Sequence, residues 1–122
     1  MTRARLELGA SGEELAARWY AAAGYQVLDR NWRCRDGELD LVVARGGLAV
    51  FCEVKTRRGL AFGLPAEAVT PAKQRRLRQL ARRWLAERPP GAPRFPDLRF
   101  DVACVLAPPG AAPTLDVIEA AF

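Results

Sequence analysis

The sequence contains no histidine, which excludes imidazole general bases, Ser-His-Asp triads and zinc sites with histidine ligands. Its three cysteines, Cys34, Cys52 and Cys104, are widely spaced, so we expect free thiols in a reducing compartment. No apolar run approaches the roughly 20 residues of a membrane-spanning helix, and the first residues have no hydrophobic stretch typical of a secretory signal. The sequence therefore predicts a cytoplasmic protein with no membrane partner.

Positive charge, in contrast, is abundant and unevenly distributed. The 122 residues include 19 Lys and Arg against 14 Asp and Glu, and only two of the basic residues are lysines. Residues 71–88 contain seven basic residues and one acid, so the rest of the chain is close to neutral. One basic segment on a near-neutral body indicates a polyanionic partner such as nucleic acid. Alternatively, these charges are only the solvent-exposed face of a helix.

The hydrophobic pattern predicts one domain over residues 1–122, with the element order α-β-β-β-α-β-β. We expect helices over 11–23 and 71–88, with Ser11 and Thr70 as their N-caps. Strands are expected over 25–28, 38–45, 48–56, 98–106 and 115–118. The predicted fold class is α/β, with a single mixed sheet flanked by two helices.

A Gly-Gly pair at 46–47 connects two of these strands and determines how they pair. A two-residue turn at this point places Asp40 opposite Glu53. In the same register Glu38 lies opposite Lys55, and the two-residue period of a strand directs all four side chains to one face. Two opposed carboxylates repel each other unless a cation lies between them. This face therefore predicts a site for Mg²⁺, or Mn²⁺, held by Asp40 and Glu53.

Lys55 completes a group that could hydrolyse a phosphodiester without histidine. Its ammonium can orient an attacking water or stabilise negative charge that develops on the phosphoryl oxygens. The alternative is an ordinary cross-strand ion pair between Glu38 and Lys55, with Asp40 and Glu53 on a solvated sheet face. On either interpretation we expect this face to be solvent-exposed. The opposite face would then be filled by Leu39, Leu41, Val43, Val50, Cys52 and Val54.

An ordered set of short blocks covers most of the chain. The blocks are Gly12–Ala16, Asn31–Arg33, Gly37–Leu41, Phe51–Arg57, Phe62–Pro65 and Arg99–Val102. Together they resemble the bacterial YraN family, which is described as endonuclease-like. Asp40, followed by Glu53-Val54-Lys55 on the next strand, is similar to the PD-(D/E)XK nuclease superfamily, which includes restriction endonucleases and Holliday-junction resolvases. The resemblance implies a restriction-endonuclease-like αβββαβ core.

The resemblance also implies roles for single residues. Asp40 and Glu53 match the metal-binding acids, and Lys55 matches the lysine of the motif. Glu14 matches the acid of the first helix that reaches the metal, and the backbone carbonyl of Val54 would be a further ligand. We therefore expect these residues to form the catalytic and metal-binding set.

Several of these residues also have an ordinary structural interpretation. Glu14 stands three residues after Ser11, which is the spacing of a capping box. Glu38 has only a supporting role, as a partner for Lys55. The expected nucleic-acid contacts would otherwise be solvated surface charge. These contacts are Arg33, Arg57, Arg58, Lys73, Arg75 and Arg76.

The sequence thus predicts a Mg²⁺-dependent DNA endonuclease. The second helix and the 57–70 loop would bind the phosphate backbone, and the absence of a base-reading helix favours branched or single-stranded DNA. A homodimer would suit a two-stranded substrate. Two alternatives stay open: a nucleic-acid-binding module that keeps a nuclease fold without catalysis, and a protein–protein interaction domain.

Overall fold

The computed structural model describes residues 2–58 and 69–122, with side chains from residue 12 onward within these ranges. Two helices and five strands follow one another in the predicted order, which confirms the α/β class. The elements are α1 (Thr2–Ala22), β1 (Gln26–Cys34), β2 (Gly37–Arg45), β3 (Leu48–Arg57), α2 (Pro71–Ala86), β4 (Asp97–Leu106) and β5 (Thr114–Ile118). No helix in these ranges is long and apolar enough to cross a membrane.

The five strands form a single mixed sheet in the order β1-β2-β3-β4-β5. Three neighbouring pairs are antiparallel, whereas β3 and β4 run parallel. A parallel pair needs a crossover connection, and the segment that contains α2 supplies it. Side chains of α2 pack on one face of the sheet and side chains of α1 on the other, so β2 and β3 are buried between the two helices.

Helix α1 begins earlier than its sequence suggested. It spans Thr2–Ala22, so Ser11 lies within the helix and the prediction that Ser11 is the N-cap is wrong. Residues 2–10 are mostly good helix formers with a single glycine, so the local sequence does not stop the helix. A capping box between Ser11 and Glu14 is excluded by the same observation. Gly24, with φ of 90°, follows the end of α1 as predicted.

Strand β1 is also longer than the predicted 25–28. It continues to Cys34 after a bulge at Leu28, where its register against β2 shifts. Most of its later residues are polar, and they are compatible with a strand because β1 lies at an edge of the sheet. A pattern search that requires alternating apolar residues does not detect such an edge strand.

Helix α2 begins as its sequence predicts. The Oγ1 atom of Thr70 accepts a hydrogen bond from the backbone N–H of Lys73 at 3.2 Å, and Pro71 is the first helical residue. The residues that the helix buries face the sheet: Leu77, Leu80, Ala81 and Trp84. The three cysteines are free thiols, which confirms that prediction.

The predicted hairpin register is confirmed between Leu41–Cys52 and Arg45–Leu48. Within it the side chains alternate, so Val42 belongs to the core under α2 and Leu41 to the core under α1. Leu39, however, lies in the core under α2, and its predicted position beside Leu41 is wrong. The ladder between β2 and β3 ends at Leu41, and beyond that point β2 is free to depart from strict alternation.

Candidate metal centre

Asp40 and Glu53 lie at the point where β2 and β3 separate. The backbone ladder between the strands ends one residue pair before them, at Leu41 and Cys52. There the Oδ2 atom of Asp40 accepts a hydrogen bond from the backbone N–H of Val54 at 2.9 Å. A side chain of β2, rather than its backbone, therefore binds β3. This contact fixes Asp40 against the strand that carries Glu53.

Several carboxylates act on Asp40 at this point. Burial is the largest cause that raises the pKa of Asp40 to about 6. The carboxylate of Glu53 raises it further, and those of Glu13 and Glu38 contribute in the same direction. The hydrogen bond from Val54 opposes these effects without cancelling them. A cation beside Asp40 would relieve this repulsion, as the opposed acids of the sequence suggested.

Two lysines contact Glu53, whose side chain is only 10% exposed. The distance to its Oε1 atom is 3.4 Å from Nζ of Lys55 and 2.9 Å from Nζ of Lys73. Burial and the neighbouring Lys73 ammonium lower the pKa of Lys55. Burial also acts to lower the pKa of Lys73, but the carboxylate of Glu53 opposes this effect and raises that pKa. Glu53 therefore lies between two basic side chains, one from β3 and one from α2.

Glu38 does not form the expected ion pair with Lys55. Its Oε2 atom lies 3.0 Å from Nε of Arg33, which is its direct partner in the β1–β2 ladder. At Glu38 the strand is still paired with β1 but no longer with β3, so Lys55 is not opposite it. The alternative in which Asp40 and Glu53 merely accompany a Glu38–Lys55 pair is therefore wrong.

A cavity of about 460 Å³ opens in front of the acids, between the sheet and α2. The face that we expected to be solvent-exposed is therefore a cleft, because α2 lies across it. A Cβ atom at Gly37, where φ is 146°, would lie 3.2 Å from Cδ1 of Leu80, so glycine allows this close approach. The lining residues that carry charge are Glu38, Asp40, Glu53, Lys73 and Arg76.

The oxygen donors fit a divalent cation held by two carboxylates. The contacts described above use Oδ2 of Asp40 and Oε1 of Glu53, and the second oxygen of each group takes no part in them. Mg²⁺ is commonly bound by one or two carboxylates, with waters and phosphate oxygens as its other ligands. Within residues 12–58 and 69–122, no three acidic or cysteine side chains converge to form a complete cage. The carbonyl of Val54 stays a predicted ligand.

The structure does not bring Glu14 to these acids. Its carboxylate lies 2.6 Å from Arg30 and 3.1 Å from Arg18, and these two guanidinium groups lower its pKa. Its assisting role at the metal stays a prediction. The neighbouring Glu13 is the acid of α1 that acts on Asp40, as the raised pKa of Asp40 shows. Sequence reasoning missed Glu13.

Gly12 is the sequence feature that could have identified Glu13 as the acid of α1 that acts on Asp40. It is buried, and a Cβ atom there would collide with the hydroxyl group of Thr56. Glycine therefore lets α1 approach the end of β3 without a shift of the Thr56 side chain. Because Glu13 follows Gly12 directly, it is carried to the end of β3 that holds Glu53.

Only two of the six predicted nucleic-acid contacts line the cavity. Lys73 and Arg76 line the cavity, whereas Arg33 is paired with Glu38. The other three lie outside the lining: Arg57 and Arg58 at the end of β3, and Arg75 on the exposed surface of α2. Part of the predicted 57–70 loop, including the Phe62–Pro65 block, lies outside the described residues.

Three other arginines of the basic segment contact side chains of the fold. The guanidinium of Arg78 lies 4.9 Å from the ring centre of Phe100, and that of Arg88 lies 4.7 Å from the ring centre of Trp84. Arg83 forms ion pairs with two acids. These three arginines therefore contribute to packing and ion pairs within the fold, although their charge was part of the evidence for a polyanionic partner.

A buried charged network lies behind β3, on the α1 side of the sheet. Asp101 is fully buried and accepts hydrogen bonds from Tyr20 at 2.6 Å, from Arg99 at 2.8 Å and from the backbone N–H of Ala120 at 3.0 Å. Burial raises the pKa of Tyr20, and the bond to Asp101 raises the pKa of Arg99. Asp101 is the ladder partner of Cys52, so the network supports the strand that carries the neighbouring Glu53.

The sequence pattern of an uncharacterised protein family, UPF0102, matches residues 12–105 of the chain. The chain belongs to this family. The UPF0102 protein of Nocardia farcinica is 54% identical over 115 residues, which cover 94% of this chain and 88% of the relative. That of Frankia alni is 53% identical over 120 residues, 98% of each chain. All the residues of the candidate metal centre lie within the range that the UPF0102 pattern matches.

Proposed function

We propose that the protein is a Mg²⁺-dependent DNA endonuclease of the PD-(D/E)XK type, which hydrolyses phosphodiester bonds in branched or single-stranded DNA. The observation that carries the proposal is the meeting of Asp40, Glu53, Lys55 and Lys73 at one end of the central hairpin. Both acids line a cleft whose other wall is α2 with Lys73 and Arg76, and Lys55 contacts Glu53 from β3. This combination suits a divalent cation and a phosphate group together.

Asp40 and Glu53 would hold the cation through the oxygens that take no part in the contacts of the described residues, and the Val54 carbonyl would be a further ligand. Bound Mg²⁺ would supply a Lewis acid for a phosphoryl oxygen and would lower the pKa of a coordinated water. The hydrogen bond from the Val54 amide keeps Asp40 oriented, so little reorganisation is needed when the charge arrives. Glu13 and Glu38 add negative potential that favours a cation at this position.

Lys55 would position the attacking water. Its side chain is 25% exposed, so water reaches it, while its contact with Glu53 holds it beside the metal-binding acids. Because its pKa is lowered, its amine exchanges a proton more readily than that of an exposed lysine. When protonated, Nζ can also stabilise the negative charge that develops on phosphorus oxygens.

The phosphate backbone of the nucleic acid would lie along α2. Lys73 and Arg76 line the cavity, and Arg75 is exposed on the same helix. Such contacts neutralise phosphates and do not read bases, which supports recognition of DNA structure rather than DNA sequence. A homodimer and a cytoplasmic location stay predictions, and gel filtration would test the first.

The test is a cleavage assay on branched and single-stranded DNA with Mg²⁺, Mn²⁺ or EDTA. We expect the wild type to cut with either metal and not in EDTA. Asp40→Asn should lose activity, whereas Asp116→Asn, the same change on the exposed edge strand β5, should keep it. DNA binding without cleavage under any condition would favour the non-catalytic binding module. If DNA neither binds nor is cut, the protein–protein interaction domain becomes the better account.

A further inference from the structure

The backbone of Lys73 is fixed in the first turn of α2, whereas its ammonium group can move. Its backbone N–H is held by Thr70 in the first turn of α2. Its ammonium reaches across the cleft to Glu53, at 2.9 Å from Oε1, although 35% of its side chain is exposed. A lysine stem has four rotatable carbons, so the ammonium can change partner without movement of the helix.

A cation bound by Glu53 would weaken the contact between Glu53 and Lys73. In the metal-free protein, two ammonium groups offset the charges of Asp40 and Glu53. A divalent cation on the same carboxylates adds two positive charges beside Nζ of Lys73. Like charges in a partly buried site repel, so a cation on Glu53 would oppose the pairing of Lys73 with the same carboxylate.

A phosphate in the cavity would offer Lys73 another partner. Arg76 lies three residues further along α2, on the same side of the helix, and lines the same cavity. An entering phosphodiester would therefore meet two cationic side chains from α2. The cavity wall opposite them carries Asp40 and Glu53.

We propose that Lys73 exchanges partners: it pairs with Glu53 in the metal-free protein and with a phosphodiester oxygen of the nucleic acid when a divalent cation is bound. The inference rests on the proposed function, because it assumes a cation at Asp40 and Glu53. The exchange couples the two ligands. The cation releases Lys73 for the phosphate, and the phosphate removes the competitor of the cation, so each ligand raises the affinity for the other by the same factor.

The first test measures Mn²⁺ binding in the absence of DNA. Lys73→Met keeps most of the stem and removes the charge, so we expect Mn²⁺ to bind about fivefold more tightly than to the wild type. The matched control is Arg82→Met, which removes one positive charge from an exposed residue of α2 outside the cavity lining. Its Mn²⁺ affinity should equal that of the wild type. Lys73→Gln gives the same comparison if the methionine variant does not fold.

The second test measures binding of a short single-stranded DNA with and without Ca²⁺, which replaces Mg²⁺ to avoid cleavage. Ca²⁺ should strengthen DNA binding by the wild type, and this gain should be about fivefold smaller in Lys73→Met. The salt dependence of DNA binding in Ca²⁺ should also correspond to about one phosphate contact fewer.

The Mn²⁺ measurements distinguish a failure of this inference from a failure of the proposed function. If the wild type binds Mn²⁺ and Lys73→Met binds it equally or more weakly, the inference is overturned while the proposed function stands. Lys73 would then only hold Glu53 in position. If the wild type does not bind Mn²⁺ at all, both the proposed function and the inference fail.

Discussion

Two carboxylates lie on opposite faces of the same sheet, and their surroundings differ. Asp101, under α1, is fully buried and has donors from Tyr20, Arg99 and the backbone around both of its oxygens. Asp40, in the cleft under α2, accepts one amide hydrogen bond, and burial together with the neighbouring acids raises its pKa to about 6. The surroundings of Asp101 stabilise the metal-free fold, whereas the repulsion around Asp40 is relieved by a proton or by a bound cation.

This difference separates a structural acid from a candidate functional one on the same sheet. A satisfied carboxylate has no spare oxygen, so it holds elements together. A carboxylate kept among like charges costs stability, and such a cost is typical of a binding or catalytic site.

The largest effect is expected for Asp101→Ala. The change leaves Arg99 and the Tyr20 hydroxyl without their shared acceptor in the interior, so unfolding should become easier by about 3 kcal/mol. Urea denaturation followed by circular dichroism measures this loss. A loss below about 1 kcal/mol would show that the network does not stabilise the fold as its geometry indicates.

A smaller effect of opposite sign is expected for Asp40→Asn in EDTA. The folded protein holds the proton of Asp40 up to about pH 6, whereas the unfolded chain loses it near pH 4. The metal-free wild type should therefore lose stability as the pH rises through this window, and the loss should persist above it. Asparagine can still accept the Val54 hydrogen bond and carries no charge.

The melting temperature of Asp40→Asn should consequently exceed that of the wild type at pH 7.5, and the two should be equal near pH 3.5. Thermal denaturation at the two pH values measures the difference. A variant that is less stable than the wild type at both pH values would contradict the repulsion inferred at this site.

The smallest effect distinguishes Glu13 from Glu14. Glu13→Gln should move the pKa of Asp40 towards its ordinary value, because one of the carboxylates that raise it is removed. Glu14→Gln should leave that pKa unchanged, because Arg18 and Arg30 already neutralise Glu14. An NMR titration of the Asp40 side chain measures both shifts. A change with Glu14→Gln alone would restore the role that the family resemblance implies for Glu14.

The sequence sufficed for the parts of the fold that depend on local signals. The turn at Gly46 and Gly47 determined the register of the hairpin, and Thr70 determined the start of α2. The predicted face of Leu39 was wrong because the β2–β3 ladder ends at Leu41, and the hairpin register does not indicate where the ladder ends. The start of α1 was missed because no strong local signal marks it.

The rest of the candidate site depends on contacts between distant parts of the chain. Tyr20 and Asp101 are separated by 81 positions, and no periodicity connects them. Lys73 reaches Glu53 only because the crossover through α2 returns along the sheet, so the sequence identified it as a basic residue but not as a partner of Glu53. Pattern analysis assigns a residue to an element and a face, whereas its contacts depend on how the elements pack.

The claim that Asp40 and Glu53 hold a divalent cation is tested most directly by calorimetric titration of the metal-free protein with Mn²⁺. We predict that the wild type binds one ion and that Asp40→Asn and Glu53→Gln each lose this binding while remaining folded. Asp116→Asn should bind as the wild type does. Absence of Mn²⁺ uptake by the wild type, or equal uptake by all four proteins, would contradict the account.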